Sequence, residues 1–307
     1  MSVNTSTKNR LAVSGLLFGA ACWGVIWYPY RMMEEAGISG VASSFYTYSI
    51  AALIGMVIFS RHWRGFLDLP QSAWWLALAA GWTNLSYVLA VIDGEVMRVM
   101  LLFYLSPLWT LILAHFWLKE HSGLKGFMVI AISLIGAFIM LWQPGSYPLP
   151  KNDAEWLGLS SGLGFALTNV ITRRSTHLSL RVKSMAVWLG VVTMALLMMP
   201  FQSLPFPAPE VFTMSNWLVM SLIALLLMAA TLFVQYGITH IPVTRASVLF
   251  LFELVVVAAA SYYLANEAMS LREWLGGSLI IVAAIFAARV EEGIEAASSS
   301  RPRFPAK

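Results

Sequence analysis

Charge is scarce in this chain: Asp, Glu, Lys and Arg make up 11% of its 307 residues, against 59% hydrophobic. Soluble domains average about 25% charged residues, so there are too few charges to cover a folded surface in water. The mean hydropathy of +0.74 agrees. Cysteine is nearly absent too. The one cysteine, Cys22, excludes an intrachain disulfide and argues against a cysteine-ligated metal. His62, His115, His121, His177 and His240 show no HExxH or similar metal spacing, and neither a GxSxG elbow nor a Walker-type phosphate loop is present. No cofactor and no metal are expected, and ATP-driven transport on this chain is disfavoured. The net charge of +4 is not a nucleic-acid signal, because what matters in so apolar a chain is the side of the membrane on which the cations fall.

What is present in quantity is apolar sequence. A spanning helix needs roughly 20 apolar residues, and ten windows qualify as span cores: Leu11–Tyr30, Val41–Phe59, Ala73–Ile92, Val96–Leu118, Leu124–Leu141, Trp156–Ile171, Met185–Pro200, Trp217–Tyr236, Val243–Leu264 and Leu275–Ala288. A lipoprotein-like stretch leads to Cys22, but Gly19 stands three before it and the apolar run continues beyond, which favours an uncleaved first span. Short connections predict that sequential helices pack as antiparallel neighbours. With both termini cytoplasmic, fifteen of the 19 Lys and Arg residues fall inside, leaving Arg31, Arg98, Lys151 and Arg272 outside. The expected fold is therefore all-α integral membrane, with ten transmembrane helices in the cell inner membrane and lipid as its surroundings.

The chain also repeats. A shift of 147 lays Val96 on Val243, Arg98 on Arg245, Phe103 on Phe250 and Glu120 on Glu267; a shift of 143 lays Gly15 on Gly158, Gly19 on Gly162 and Arg31 on Arg174. Five is odd, so the second unit enters the membrane from the opposite side, and the pair forms two inverted five-helix repeats. The organisation expected is a cytoplasmic tail over 1–10, a first repeat over 11–142, a periplasmic linker over 143–154, a second repeat over 155–289 and a cytoplasmic tail over 290–307. Inverted repeats characterise secondary transporters that bind substrate near the midplane.

The stretches AACWGVIWYPYR (Ala20–Arg31), LSPLWTLILAHFWLKE (Leu105–Glu120) and FELVVVAAASYYLANE (Phe252–Glu267) resemble the repeat of the drug/metabolite transporter superfamily, in particular the ten-helix EamA-type exporters. The resemblance runs from Leu11 to Ala288. Such repeats commonly carry a proline midway along the fourth helix and often a Glu-Pro pair in the ninth. Here the first copy has Ser106-Pro107 and the second Glu253-Leu254, so the two halves differ where a kink is expected.

Several residues stand out. Pro107 lacks an N–H and crowds the carbonyl four residues back, at Phe103, which predicts a bend and a hinge beside the substrate path; the freed carbonyl needs a partner or a water-lined cavity. Arg98 has two readings: it snorkels or pairs with Glu95, or it faces the vestibule and attracts an anionic group. Arg245 has the same two at the other end. Glu253 lies deep in the ninth span, where a neutral acid is far cheaper than a carboxylate, making it the candidate coupling residue. Trp23, Trp27, Trp82, Asn84, Tyr87, Tyr104, Asn169 and Gln235 are candidate cavity residues, with packing as the alternative for each. Trp63, Trp74, Trp75, Trp142, Trp156, Trp217 and Trp274 read as interfacial anchors, and the glycines Gly15, Gly19, Gly158 and Gly162 as close helix contacts.

The resemblance implies a secondary active transporter exporting small metabolites by alternating access, and not an enzyme. Paired arginines and tryptophans point to amino acids or related carboxylates. A membrane-embedded lipid-modifying enzyme and a non-transporting receptor or assembly subunit are the alternative classes.

Overall fold

The computed structural model describes residues 5–61, 69–117, 123–142, 149–201, 207–240, 243–283 and 285. Eleven helical segments dominate: α1 Thr5–Glu35, α2 Gly40–Phe59, α3 Gln71–Asp93, α4 Val96–Phe103, α5 Ser106–Trp117, α6 Gly123–Leu141, α7 Asp153–Arg174, α8 Leu180–Met198, α9 Met214–His240, α10 Val243–Ala265 and α11 over 271–283. No strand occurs among the described residues. Five of these helices (α1, α2, α3, α8 and α9) are long and apolar enough to cross a membrane. Trp63, Glu120, the tails over 1–4 and 290–307, and 143–148 of the expected linker lie outside the described residues, as do the side chains of Pro107 and Arg245.

Local sequence sets the helix ends. Gly37 adopts φ +84° after α1; the Ile38 N–H then donates to the Met33 carbonyl and the Gly37 N–H to that of Glu34, which stops the helix in a Schellman turn. Side chains of Ser39, Asn152 and Ser179 accept from Ala42, Glu155 and Val182 N–H groups and start α2, α7 and α8. The cap at Ser179 explains why α8 begins at Leu180, a full turn before its apolar core.

The fourth span is two helices, α4 and α5, interrupted at Tyr104 and Leu105. Pro107 falls in the first turn of α5, where a missing N–H costs nothing. The Phe103 carbonyl, deprived of its helical donor, lies against Gly162 of α7, where any added Cβ would stand 2.5 Å from that oxygen. By contrast α10, with Glu253-Leu254 at the equivalent place, runs unbroken.

Packing differs from the expectation that sequential helices are the main neighbours. The principal contacts join the two halves: α3 with α7 and α8, α1 with α9 and α10, and α2 with α8 and α9. Glycine is the cause. A Cβ on Gly190 of α8 would stand 2.0 Å from the Ala77 carbonyl of α3, and one on Gly81 of α3 would meet the Gly190 carbonyl at 2.4 Å. Gly55 of α2 receives the Trp188 ring, Gly19 of α1 receives Val234, and Gly158 of α7 receives Val99. In lipid, where apolar burial does not drive helices together, backbone proximity at small residues selects the partner. Large apolar residues such as Leu218, Leu222 and Val255 face outward, as do Trp74, Trp75, Trp142, Trp156, Trp217 and Trp274, six of the tryptophans read as anchors.

Gly190→Ala gives a sign test of this packing. At an open helical site the change stabilises by about 0.4–1 kcal/mol; against the Ala77 carbonyl it should destabilise by about 1–3 kcal/mol. A lowered thermal midpoint in detergent is expected, and an unchanged or raised one would show that α3 and α8 do not touch this closely.

Candidate functional site

A cavity of about 70 Å³ lies between the two halves, walled by α1, α3 and α4 on one side and by α7, α8, α9 and α10 on the other. Of the candidates, it brings together Trp23, Asn84, Tyr87, Asn169, Gln235 and Glu253. Sequence reading missed Thr83, Phe103, Phe165, Thr168 and Thr231, which also line it. A signal existed for three of these. Thr83, Phe165 and Thr231 each stand four residues before a candidate, at Tyr87, Asn169 and Gln235, and so share its helix face.

An aromatic run crosses the cavity. Tyr87 meets Phe103 at 5.9 Å between ring centroids, Phe103 meets Phe165 at 5.2 Å, Phe165 meets Phe250 at 5.6 Å and Phe250 meets Trp23 at 6.4 Å. Phe103 and Phe250 are equivalent residues of the two repeats, so a near-symmetric pair is joined through one ring of α7.

Glu253 is 5% exposed. The Tyr104 hydroxyl lies 2.5 Å from the Phe250 carbonyl oxygen and 2.9 Å from Glu253 Oε2. Tyr104 has one phenolic proton, and a carbonyl oxygen only accepts. Both contacts are satisfied together when Tyr104 donates to Phe250 and Glu253, carrying a proton, donates to Tyr104. The geometry suits the neutral acid. Tyr104 is thus a partner of Glu253, placed there by the break after α4, and is not among the residues lining the cavity. On the far side α1 comes close: a Cβ on Gly24 would stand 3.2 Å from the Glu253 carbonyl oxygen.

Other candidates lie elsewhere. Trp27 is fully buried, donates from Nε1 to the Gly24 carbonyl, and carries the Arg31 guanidinium 5.1 Å above its ring. Trp82 packs beside Gly164 of α7. Arg98 is not among the residues lining the cavity, and its carboxylate partners are Glu155 and Glu273 rather than Glu95. It is 8% exposed, and its Nε donates to Glu155 Oε1 of α7 while Nη1 lies 3.7 Å from Glu273 Oε1 of α11. The Glu155 carboxylate also accepts from the Lys151 N–H, and that of Glu273 from the Ser270 N–H and hydroxyl.

A second cluster sits beside this one. Arg31 donates to the Val91 and Gly94 carbonyls and to Glu267, whose other oxygen accepts from the Met97 N–H. Asn266, at φ +54°, turns the chain after α10 and delivers Glu267 to that position. The two clusters tie the ends of α1, α3 and α10 to the starts of α4, α7 and α11. The cavity, in contrast, reaches Ile238, two residues from the opposite end of α9. Among the described residues no group of three or more His, Cys, Asp and Glu is placed to hold a metal.

The EamA-like transporter family model matches residues 10–142 and again 153–289. An uncharacterized transporter of Pseudomonas aeruginosa is 26% identical over 195 residues, 60% of this chain and 61% of that protein. An uncharacterized transporter of Archaeoglobus fulgidus is 24% identical over 213 residues, 67% of this chain and 72% of its own. Protein RarD of Salmonella typhi is 20% identical over 158 residues, about half of either chain. The chain thus spans about three fifths of the Pseudomonas relative. One crystal structure shares the fold, with a TM-score of 0.61 at 14% identity, across 91% of this chain and 99% of that one.

The Arg98 cluster yields a measurable coupling. Arg98→Gln leaves Glu155 buried without its cation and should cost about 3–5 kcal/mol of stability. Adding Glu155→Gln should restore part of that loss, giving an interaction energy of about 1–3 kcal/mol in a double-mutant cycle by thermal or denaturant unfolding in detergent. Strict additivity of the two changes would show that the pair is not coupled.

Proposed function

Because the chain belongs to the EamA-like transporter family, we propose that it is a secondary active transporter that exports small metabolites across the cell inner membrane by alternating access. The observation that carries this reading is a largely apolar cavity with a few polar side chains at the interface of the two repeats, closed at one end by the Arg31 and Arg98 clusters. Ten spans with both termini cytoplasmic put those clusters on the outer side, in keeping with the excess of Lys and Arg on the inner loops. The conformation is then inward-facing, with its outer gate shut. A cavity of about 70 Å³ is far below the roughly 300–1,000 Å³ of drug-sized pockets, which favours metabolites. Amino acids are retained as candidates. Free carboxylates lose the support they had from Arg98, whose guanidinium is engaged by Glu155 and Glu273.

Glu253 is the coupling residue in this reading. It takes up a proton when open to the outside, holds it while Tyr104 and Phe250 occupy their observed positions, and releases it to the inside as substrate binds. Export is then driven by proton entry.

The test is efflux from proteoliposomes of metabolites that stabilise the purified protein in a thermal-shift screen, with and without an imposed pH gradient. The parent should respond to the gradient several-fold. Glu253→Gln, which mimics the neutral acid, should lose that response. A variant that responds as the parent does would remove Glu253 from the coupling step; no flux at all through the parent would sink the transporter reading.

A further inference from the structure

We infer that the cavity takes an organic ammonium, a protonated amine on a small, partly apolar body, held by the Glu253 carboxylate. This rests on the cavity being the substrate site. The charge of the lining is one-sided. Among the described residues that line the cavity, Glu253 alone bears a formal charge when ionised at neutral pH, and none is a cation. The hydroxyl protons of Thr83 and Thr168 are spent on the Ala79 and Gly164 carbonyls of their own helices, so what remains of each is an acceptor. Gln235 is 4% exposed, and its Oε1 is buried with no hydrogen-bond partner. A buried acceptor left empty is costly, and in a ligand cavity it marks the place of a donor. An ammonium brings donors and a positive charge; a carboxylate brings neither. The rings of Trp23, Tyr87, Phe103 and Phe165 suit the apolar body, and aromatic faces also attract a cation.

The exchange balances. The Glu253 carboxylic acid gives up its proton to water as the ammonium arrives, and an ion pair replaces the acid's hydrogen bond to Tyr104. One cation enters for each proton that leaves, so no net charge is buried. The groups that face Glu253 are compatible with this. Tyr104 lies at the α4–α5 break, Tyr87 on α3, Trp23 and Gly24 on α1, Gln235 on α9 and Asn169 on α7, and none of them is charged at neutral pH. On its own helix Arg245 is eight residues away, about 12 Å along the axis.

A matched series decides the matter: phenethylamine, phenylalanine and 3-phenylpropionate share one ring and differ in charge. Calorimetric binding to the purified full chain, in two buffers of different ionisation enthalpy, counts protons as well as affinity. Phenethylamine should bind best, release about one proton per molecule, and tighten close to tenfold per pH unit while Glu253 stays protonated in the free protein. Phenylalanine should bind more weakly and 3-phenylpropionate not measurably. Glu253→Gln should abolish proton release and weaken the amine at least tenfold; Gln235→Leu should weaken it several-fold and leave proton release intact. Thermal midpoints within a few degrees of the parent establish that both variants fold. Phenylpropionate binding as tightly as the amine, amine binding without proton release, or no amine binding overturns the inference. Amine bound with proton release but never carried across proteoliposomes would uphold it and instead sink the transporter reading.

Discussion

A buried arginine held between carboxylates from the other half of the chain is the constraint on which the shape of this molecule rests. Arg98 sits in the first repeat, and its partners Glu155 and Glu273 sit in the second. Taking such charges out of water costs several kcal/mol per ion, and only good geometry with further hydrogen bonds offsets it. On the carboxylate side those bonds are present, from the Lys151 and Ser270 N–H groups, while Arg98 Nη2 is buried with no partner; the Arg31 cluster lies beside it and joins α1, α3 and Glu267. With one end of the two-repeat interface fixed in this way, the space left between the halves lies towards the other end. In the proposed alternating-access cycle, the same bonds are the ones an opposite opening must break. Their carboxylates and guanidinium groups would then return to water, which compensates much of what is lost, so the closed and open ends can be close in energy.

The interfaces between the halves are built on glycine, which suits the proposed exchange. At Gly190 and Gly81 the backbones of α3 and α8 meet directly, and at Gly24 α1 approaches the Glu253 carbonyl. Such contacts are short-range and weakly directional, set by shape rather than by interlocked side chains. Aromatic side chains also gather at the cavity, where Phe103, Phe165 and Phe250 touch edge to face or at a tilt.

Much of this was legible in the sequence. Spans show because lipid demands about 20 apolar residues whatever the neighbours are, and α1 to α3 fall where the windows put them. The break in the fourth span shows because proline acts through its own backbone. Deep polar residues in apolar helices, with one tryptophan, found six of the cavity's side chains, since a polar group there needs a cavity or a partner. Partners were not legible. Glu95, Glu155 and Glu273 are all within the same acidic minority, and nothing near Arg98 says that residues 57 and 175 positions away win over one three positions away. Trp27 shares a helix face with Trp23 yet lies under Arg31, because the cavity closes within one turn of α1. The preference of α1 for α9 over α2 depends on which glycine meets which neighbour, a fact of tertiary geometry.

The repeat position shared by Ser106 and Glu253 concentrates the remaining asymmetry. In the first repeat the following proline breaks the helix; the Phe103 carbonyl is freed and pressed on Gly162, and Tyr104 is released from regular helix geometry to reach across to α10. In the second repeat the helix is intact, so all of its backbone groups are satisfied and polarity has to come from a side chain. One half thus supplies a phenol by bending and the other a carboxyl by substitution, and the two meet at 2.9 Å. Neither feature would serve alone. An unbroken α4 would hold Tyr104 in helical register, and a broken α10 would already offer free carbonyls where an acid now stands. The departure from strict repeat symmetry at this one level therefore places a carboxyl group, Glu253, beside a phenol, Tyr104, at the interface of the two halves.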